Sequence, residues 1–177
     1  MMRAKNHGKA ACQGLSIAFA LVLQISCAFK KSKEESISML WHIILAERGY
    51  YGVYTPHNNG EDEGLATFYR HEAYDLKWEE PLYFNDETGR FVSTALVSPK
   101  DGSAKVRIFN THLQWGEKQL AEAELVKNFV LTFLSEPYVL CGDVNCSPED
   151  PAYQLLSQFY PFRYGCYRRC SRDKNSR

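Results

Sequence analysis

The sequence predicts an α+β fold, with short strands in sheets and one long amphipathic helix laid against them. Three observations predict it. Val106-Arg107-Ile108-Phe109 and Pro137-Tyr138-Val139-Leu140-Cys141 are strand-like runs, and each is closed by a polar cluster. Between them, Glu117 to Leu134 repeats apolar residues at helical spacing. A strand, a helix and a second strand at this spacing form a unit that brings both strand ends to the same rim of a sheet.

The remaining elements follow in chain order. Ser36 to Arg48 reads as a helix with Ile37, Leu40, Ile43 and Ile44 on one face, ended by Gly49. Tyr51 to Tyr54 is a strand, and polar, glycine-bounded His57 to Gly64 is an exposed loop in which His57 is solvated rather than substrate-bound. Leu65 to Tyr69 and Tyr74 to Leu82 are strands. Asn85 to Gly89 turns the chain into a strand from Phe91 to Val97, and Ser98 to Ser103 is a hairpin connection. In the long helix, Ala121, Leu125, Phe129 and Phe133 recur every four residues with Val126 and Val130 beside them. Glu117, Lys118, Glu122, Glu124 and Lys127 mark the opposite, solvated side. Pro151 to Phe159 is a short helix.

The polar clusters carry the chemical interest. Gly142-Asp143-Val144-Asn145 follows a buried-strand pattern. In extended chain Asp143 and Asn145 would project to one side, since residues two apart share a face. A carboxylate and a carboxamide so placed orient a water and hold a phosphate oxygen. An Asp/Asn turn is the competing reading. Asn110-Thr111-His112-Leu113 closes the earlier strand, and His112 is read against a purely structural histidine.

These motifs resemble the endonuclease/exonuclease/phosphatase superfamily, of deoxyribonuclease-I-like fold, whose signatures read roughly N-T-H-L and G-D-F-N-S-x-P. Here they stand as Asn110-Thr111-His112-Leu113 and Gly142-Asp143-Val144-Asn145-Cys146-Ser147-Pro148. Upstream, Glu63-Gly64-Leu65-Ala66-Thr67-Phe68-Tyr69-Arg70 and Gly49-Tyr50-Tyr51-Gly52-Val53-Tyr54-Thr55-Pro56 are similar to segments of its deadenylase and nocturnin branch. The resemblance covers roughly residues 38 to 157. It implies two packed sheets flanked by helices, and a magnesium-dependent phosphoester hydrolase acting on RNA 3′ ends or nucleotides. It further implies that Asp143 orients or deprotonates the attacking water and ligates the metal, that Asn145 holds the water and a phosphate oxygen, and that His112 binds the scissile phosphate.

Two features of the family's pattern have no match here. The family's chief metal-binding glutamate, at the end of an early strand, has no counterpart: Glu34, Glu35 and Glu47 are misplaced for it. After Pro161 there is no histidine and one aspartate, Asp173, so the family's closing Ser-Asp-His motif is also missing. The sandwich is expected to lack its first strands and its last strand. Metal binding by Asp143 alone is expected to be weak, and the chain is expected to be impaired as an enzyme or to be an inactive phosphate- or nucleotide-binding relative.

The 177 residues suit one domain, and equal numbers of basic and acidic residues, 21 each, leave no overall basic field for nucleic acid. Residues 1–33 contain no acid. Arg3, Lys5 and Lys9 precede an apolar run from Leu15 to Ile25, with Ser26-Cys27-Ala28 after it. That layout is read as a secretory signal, a mitochondrial presequence or a segment not native to the fold, and the run is too short for a confident membrane span. Secretion follows if residues 1–28 are a signal; a cytoplasmic or mitochondrial location follows otherwise. Residues 34–160 would form the partial domain and 161–177 a basic tail. Cys166 and Cys170, spaced C-x₃-C without a second ligand pair, do not make a zinc site. Nothing in the sequence points to a protein partner.

Overall fold

The computed structural model describes residues 24–25, 37–60 and 63–158. The element order is β1 (Gln24–Ile25), α1 (Ile37–Ala46), β2 (Tyr50–Pro56), β3 (Gly64–Arg70), β4 (Tyr74–Tyr83), β5 (Phe91–Pro99), β6 (Val106–His112), α2 (Gln119–Leu131), β7 (Tyr138–Asp143) and α3 (Pro151–Ser157). Apart from β1, every element was expected from the sequence. β1 lies inside the signal-like segment, where its two residues pair antiparallel with Thr67 and Ala66 of β3. The rest of residues 1–33, and the basic tail, lie outside the described residues.

The strands form two sheets, ordered β1-β3-β2 and β4-β5-β6-β7. All pairings are antiparallel except β6 with β7, which run parallel across the α2 crossover. Alternation along β6 sends its side chains to two different cores. Phe109 joins Val92, Leu140, Val126, Val130 and Leu156 under α2 and α3. Asn110, one residue on, faces the other sheet, where its amide donates to the Ala66 carbonyl and Thr67 Oγ1, both at 3.2 Å. The smaller sheet has its own core of Leu45, Tyr50, Ala66 and Phe68 against α1. The order is thus helix, sheet, sheet, helices, as in an α/β sandwich.

Three sequence expectations need correction. In α2 the buried face is Glu122, Ala123, Val126 and Val130, while Leu125 is 40% exposed. The apolar residues alone suggested a stripe through Ala121 and Leu125, but the sheet selects a face rotated away from it, because Glu122 finds partners inside. In α1, Leu45 is the buried anchor and Ile43 is half exposed. His57 is buried rather than solvated. Its backbone N–H bonds the Glu63 carbonyl at 2.7 Å, and its ring meets Phe91 edge-on. No helix among the described residues is long and apolar enough to cross a membrane.

Candidate active site

The rim begins with strand register. In the parallel β6–β7 ladder, Asn110 pairs with Cys141, Thr111 with Gly142 and His112 with Asp143. His112 and Asp143, 31 positions apart in sequence, are therefore lateral neighbours on one face at the carboxyl ends of adjacent strands. Gly142 permits the approach. Its φ is +138°, and a Cβ there would lie 1.9 Å from the Thr111 carbonyl oxygen.

Asn145 reaches the rim by a different route from the one the sequence suggested. The strand stops at Asp143, and Asn145 adopts a left-handed backbone (φ 50°) that asparagine tolerates better than most residues. Its N–H donates to Asp143 Oδ1 at 2.9 Å, and its side-chain Nδ2 donates to the Leu113 carbonyl at 2.7 Å. The turn reading of Asp143 and Asn145 and the site reading thus describe the same residues. An Asx turn fixes the loop, and the loop fixes the carboxamide beside the His112 strand end.

Two residues not singled out from the sequence hold this arrangement. Gln119, in the first turn of α2, donates from Nε2 to the carbonyls of Val144 (2.9 Å) and Asn145 (2.6 Å). Glu122, one turn further on, accepts the Gln114 N–H at 2.6 Å and anchors the segment leaving His112. Burial raises the Glu122 carboxyl above its ordinary range. The Gln114 N–H opposes this and Asp86 reinforces it. In the sequence Glu122 reads as one of the charges on the solvated side of the helix, so periodicity carried no signal for it.

His112 is half-buried. Desolvation lowers its imidazole below the ordinary 6.5, nearby Arg90 adds to the lowering, and Asp143 opposes it. The ring is therefore neutral at pH 7 and offers one donor and one acceptor. Arg90 Nη1 donates to the His112 carbonyl at 2.9 Å. Cys141 is an inert thiol, pushed up to about 12 by burial, and burial raises Cys146 to about 11, so neither provides a thiolate nucleophile.

The magnesium implied by the motifs is not well matched by the described residues. They contain no group of three or more His, Cys, Asp or Glu able to hold a metal ion. Asp143 is the single carboxylate at the rim's strand ends, and it is already engaged by the Asn145 N–H. A hard cation wants more oxygen than this.

Two packed sheets with helices outside are also the fold of solved endonuclease/exonuclease/phosphatase proteins, so the deoxyribonuclease-I-like fold expected from the motifs holds in three dimensions. In sequence the chain is similar to carbon catabolite repressor protein 4 homolog 6 of Arabidopsis thaliana, with 29% identity over 139 residues covering 64% of this chain and 18% of that protein. The human nocturnin catalytic domain with bound sulfate superposes with a TM-score of 0.56 at 21% identity, covering 66% of this chain and 50% of that one. ANGEL2, described as a 2′,3′-cyclic phosphatase in complex with adenosine-2′,3′-vanadate, superposes with a TM-score of 0.63 at 19% identity, covering 74% and 42%. This chain spans half or less of each of these relatives. No family model matches it.

Proposed function

We propose that the chain acts as a phosphoester hydrolase of the endonuclease/exonuclease/phosphatase type on RNA 3′ ends or nucleotides, through His112, Asp143 and Asn145. The observation that carries this is the β6–β7 register, which sets His112 beside Asp143 at open strand ends. Asp143 keeps one oxygen for a water while the other holds the Asn145 N–H. It orients that water and takes its proton as the oxygen attacks phosphorus; the P–O ester bond breaks with its electron pair going to the leaving alcohol oxygen, which takes a proton from solvent. Asn145 Oδ1 accepts from the same water, and the second amide hydrogen is left for a phosphate oxygen. The neutral imidazole of His112 donates to the phosphate, and the guanidinium of Arg90 nearby supplies positive charge to the developing phosphorane. The nucleotide analogue in the ANGEL2 complex supports this substrate class. Turnover is expected to be slow, because the described rim supplies one carboxylate.

The test is product release from an RNA oligonucleotide and from a nucleoside 2′,3′-cyclic monophosphate in magnesium-containing buffer. The expected result is a slow rate that falls about 100-fold in Asp143→Ala. Equal rates in wild type and variant overturn the proposal. Absence of turnover does so too, and a nucleotide-dependent rise in melting temperature without turnover would make the rim a binding site instead.

A further inference from the structure

The donors around the rim suit a phosphate anion better than they suit magnesium. Magnesium takes near-octahedral oxygen and needs carboxylates free to turn toward it. Apart from Asp143, the carboxylates of the segments packed beside His112 are engaged. Glu122 accepts the Gln114 N–H at 2.6 Å, Asp86 accepts the Thr88 N–H at 2.9 Å, and Glu87 is paired with Lys118. Each would have to leave its partner before it could ligate a cation.

Arg90 is differently placed. It stands just ahead of β5, where its N–H donates to Thr88 Oγ1 at 3.2 Å and its carbonyl accepts the Phe84 N–H at 3.0 Å, so its backbone is fixed on both sides. Its Nη1 donates to the His112 carbonyl at 2.9 Å, which holds the guanidinium at the carboxyl end of β6. Nε and Nη2 have no partner among the described residues, and neither is among the polar atoms closed to solvent. Arg90 also lines a polar cleft of about 210 Å³ beside the rim. Its charge is felt at the site: Arg90 lowers the His112 imidazole and Asp143 raises it, so the ring stands in the field of both. A guanidinium whose Nε–Nη2 edge is free presents two parallel donors, the fork that matches two phosphate oxygens.

Resting on the phosphoester reading of the rim, we infer that this site holds a phosphate group directly on Arg90, without a divalent cation. The guanidinium supplies the positive charge that magnesium would otherwise bring. Asp143 then faces the bound anion as a like charge, and removing it relieves repulsion. A metal bridge would give the opposite dependence, because Asp143 would be the protein's ligand to the cation.

The test is titration of the full chain with inorganic phosphate, followed by thermal midpoint and phosphorus NMR line width, once with magnesium and once with excess EDTA. The apparent affinity should be the same in both buffers. Arg90→Gln should weaken it about tenfold, and Arg90→Lys, which keeps the charge without the fork, should recover part of that loss. Phosphate binding in Asp143→Ala should be unchanged or tighter. Loss of binding in EDTA overturns the inference. So do weaker binding in Asp143→Ala, undiminished binding in Arg90→Gln, and failure of the wild type to bind phosphate at all. The wild-type comparison of the two buffers requires no variant to fold. Phosphate binding without turnover would sink the proposed hydrolysis alone, and turnover with phosphate binding lost in EDTA would sink the metal-free site alone.

Discussion

The two ends of the β6–β7 ladder carry similar polar residues and have opposite characters. At the amino end, Arg107 is 4% exposed, its Nε donates to Glu136 at 2.6 Å, and its guanidinium lies over the rings of Phe133 (4.1 Å) and Trp78 (5.2 Å). That cluster is closed: its cation is covered by aromatic faces and its charge is matched. At the carboxyl end, Asp143 is exposed, His112 is half-buried, and their hydrogen bonds shape a loop without covering the groups. Charge alone therefore does not mark a site. What differs is whether the charge is paired and covered by packed rings, as at Arg107 even though its Nη1 is buried without a hydrogen-bond partner among the described residues, or left at an open strand end.

Substitutions at each end of the ladder should separate the two characters. The largest effect is expected at the open end, where Asp143→Ala should cost about 100-fold in turnover while leaving the thermal midpoint close to wild type; a matching loss of stability would show that Asp143 is structural after all. Between the ends in effect is Gly142→Ala, which forces a side chain into the Thr111 carbonyl at a positive φ. It should cost about 3 kcal/mol in denaturant unfolding, and the two parallel strands would then have to separate at the rim. At the closed end, Arg107→Ala should lower unfolding free energy by about 2 kcal/mol through lost aromatic contact and stem packing. Nucleotide affinity should be unchanged there, and a change in affinity would refute the separation of the two ends.

The smallest effect concerns pH. The Glu122 carboxyl is raised by burial in the folded state, so the native protein binds this proton more tightly than the unfolded chain does. The stability linked to that proton is fully present below the ordinary value of 4.5 and is lost as pH rises through the folded value. Glu122→Gln cannot titrate. The difference in melting temperature between the variant and the wild type should therefore shift in the variant's favour between pH 4.5 and neutrality; a pH-independent difference would mean that Glu122 is ionised at no net cost. His112, lowered rather than raised, has the opposite sign: stability falls as pH drops below 6.5.

Strand positions and the rim pair were readable because they depend on local pattern. Alternating and continuous apolar runs set β2 to β7, and a helix-length segment between two strands leaves little choice but a parallel crossover with both ends on one rim. That is why His112 and Asp143 could be paired from sequence before their register was known. Asn145 was expected beside Asp143 through extended chain, and a left-handed turn brings it there instead. Periodicity also failed to find the inner face of α2. A hydrophobic stripe assigns every charge to solvent, and Glu122 is inside because a backbone N–H eight residues earlier in the chain needed an acceptor.

The α+β class, the strand and helix order, and the two polar strand ends all follow from short-range periodicity and turn chemistry. Which polar groups find partners and which stay open is set by how the sheets and loops pack. That packing buried His57, turned α2 about its axis, and closed three separate loops around Arg90 and Gln114. Those outcomes depend on contacts between residues tens of positions apart, where the desolvation cost of each polar atom is weighed against whichever partner the packed sheets bring to it.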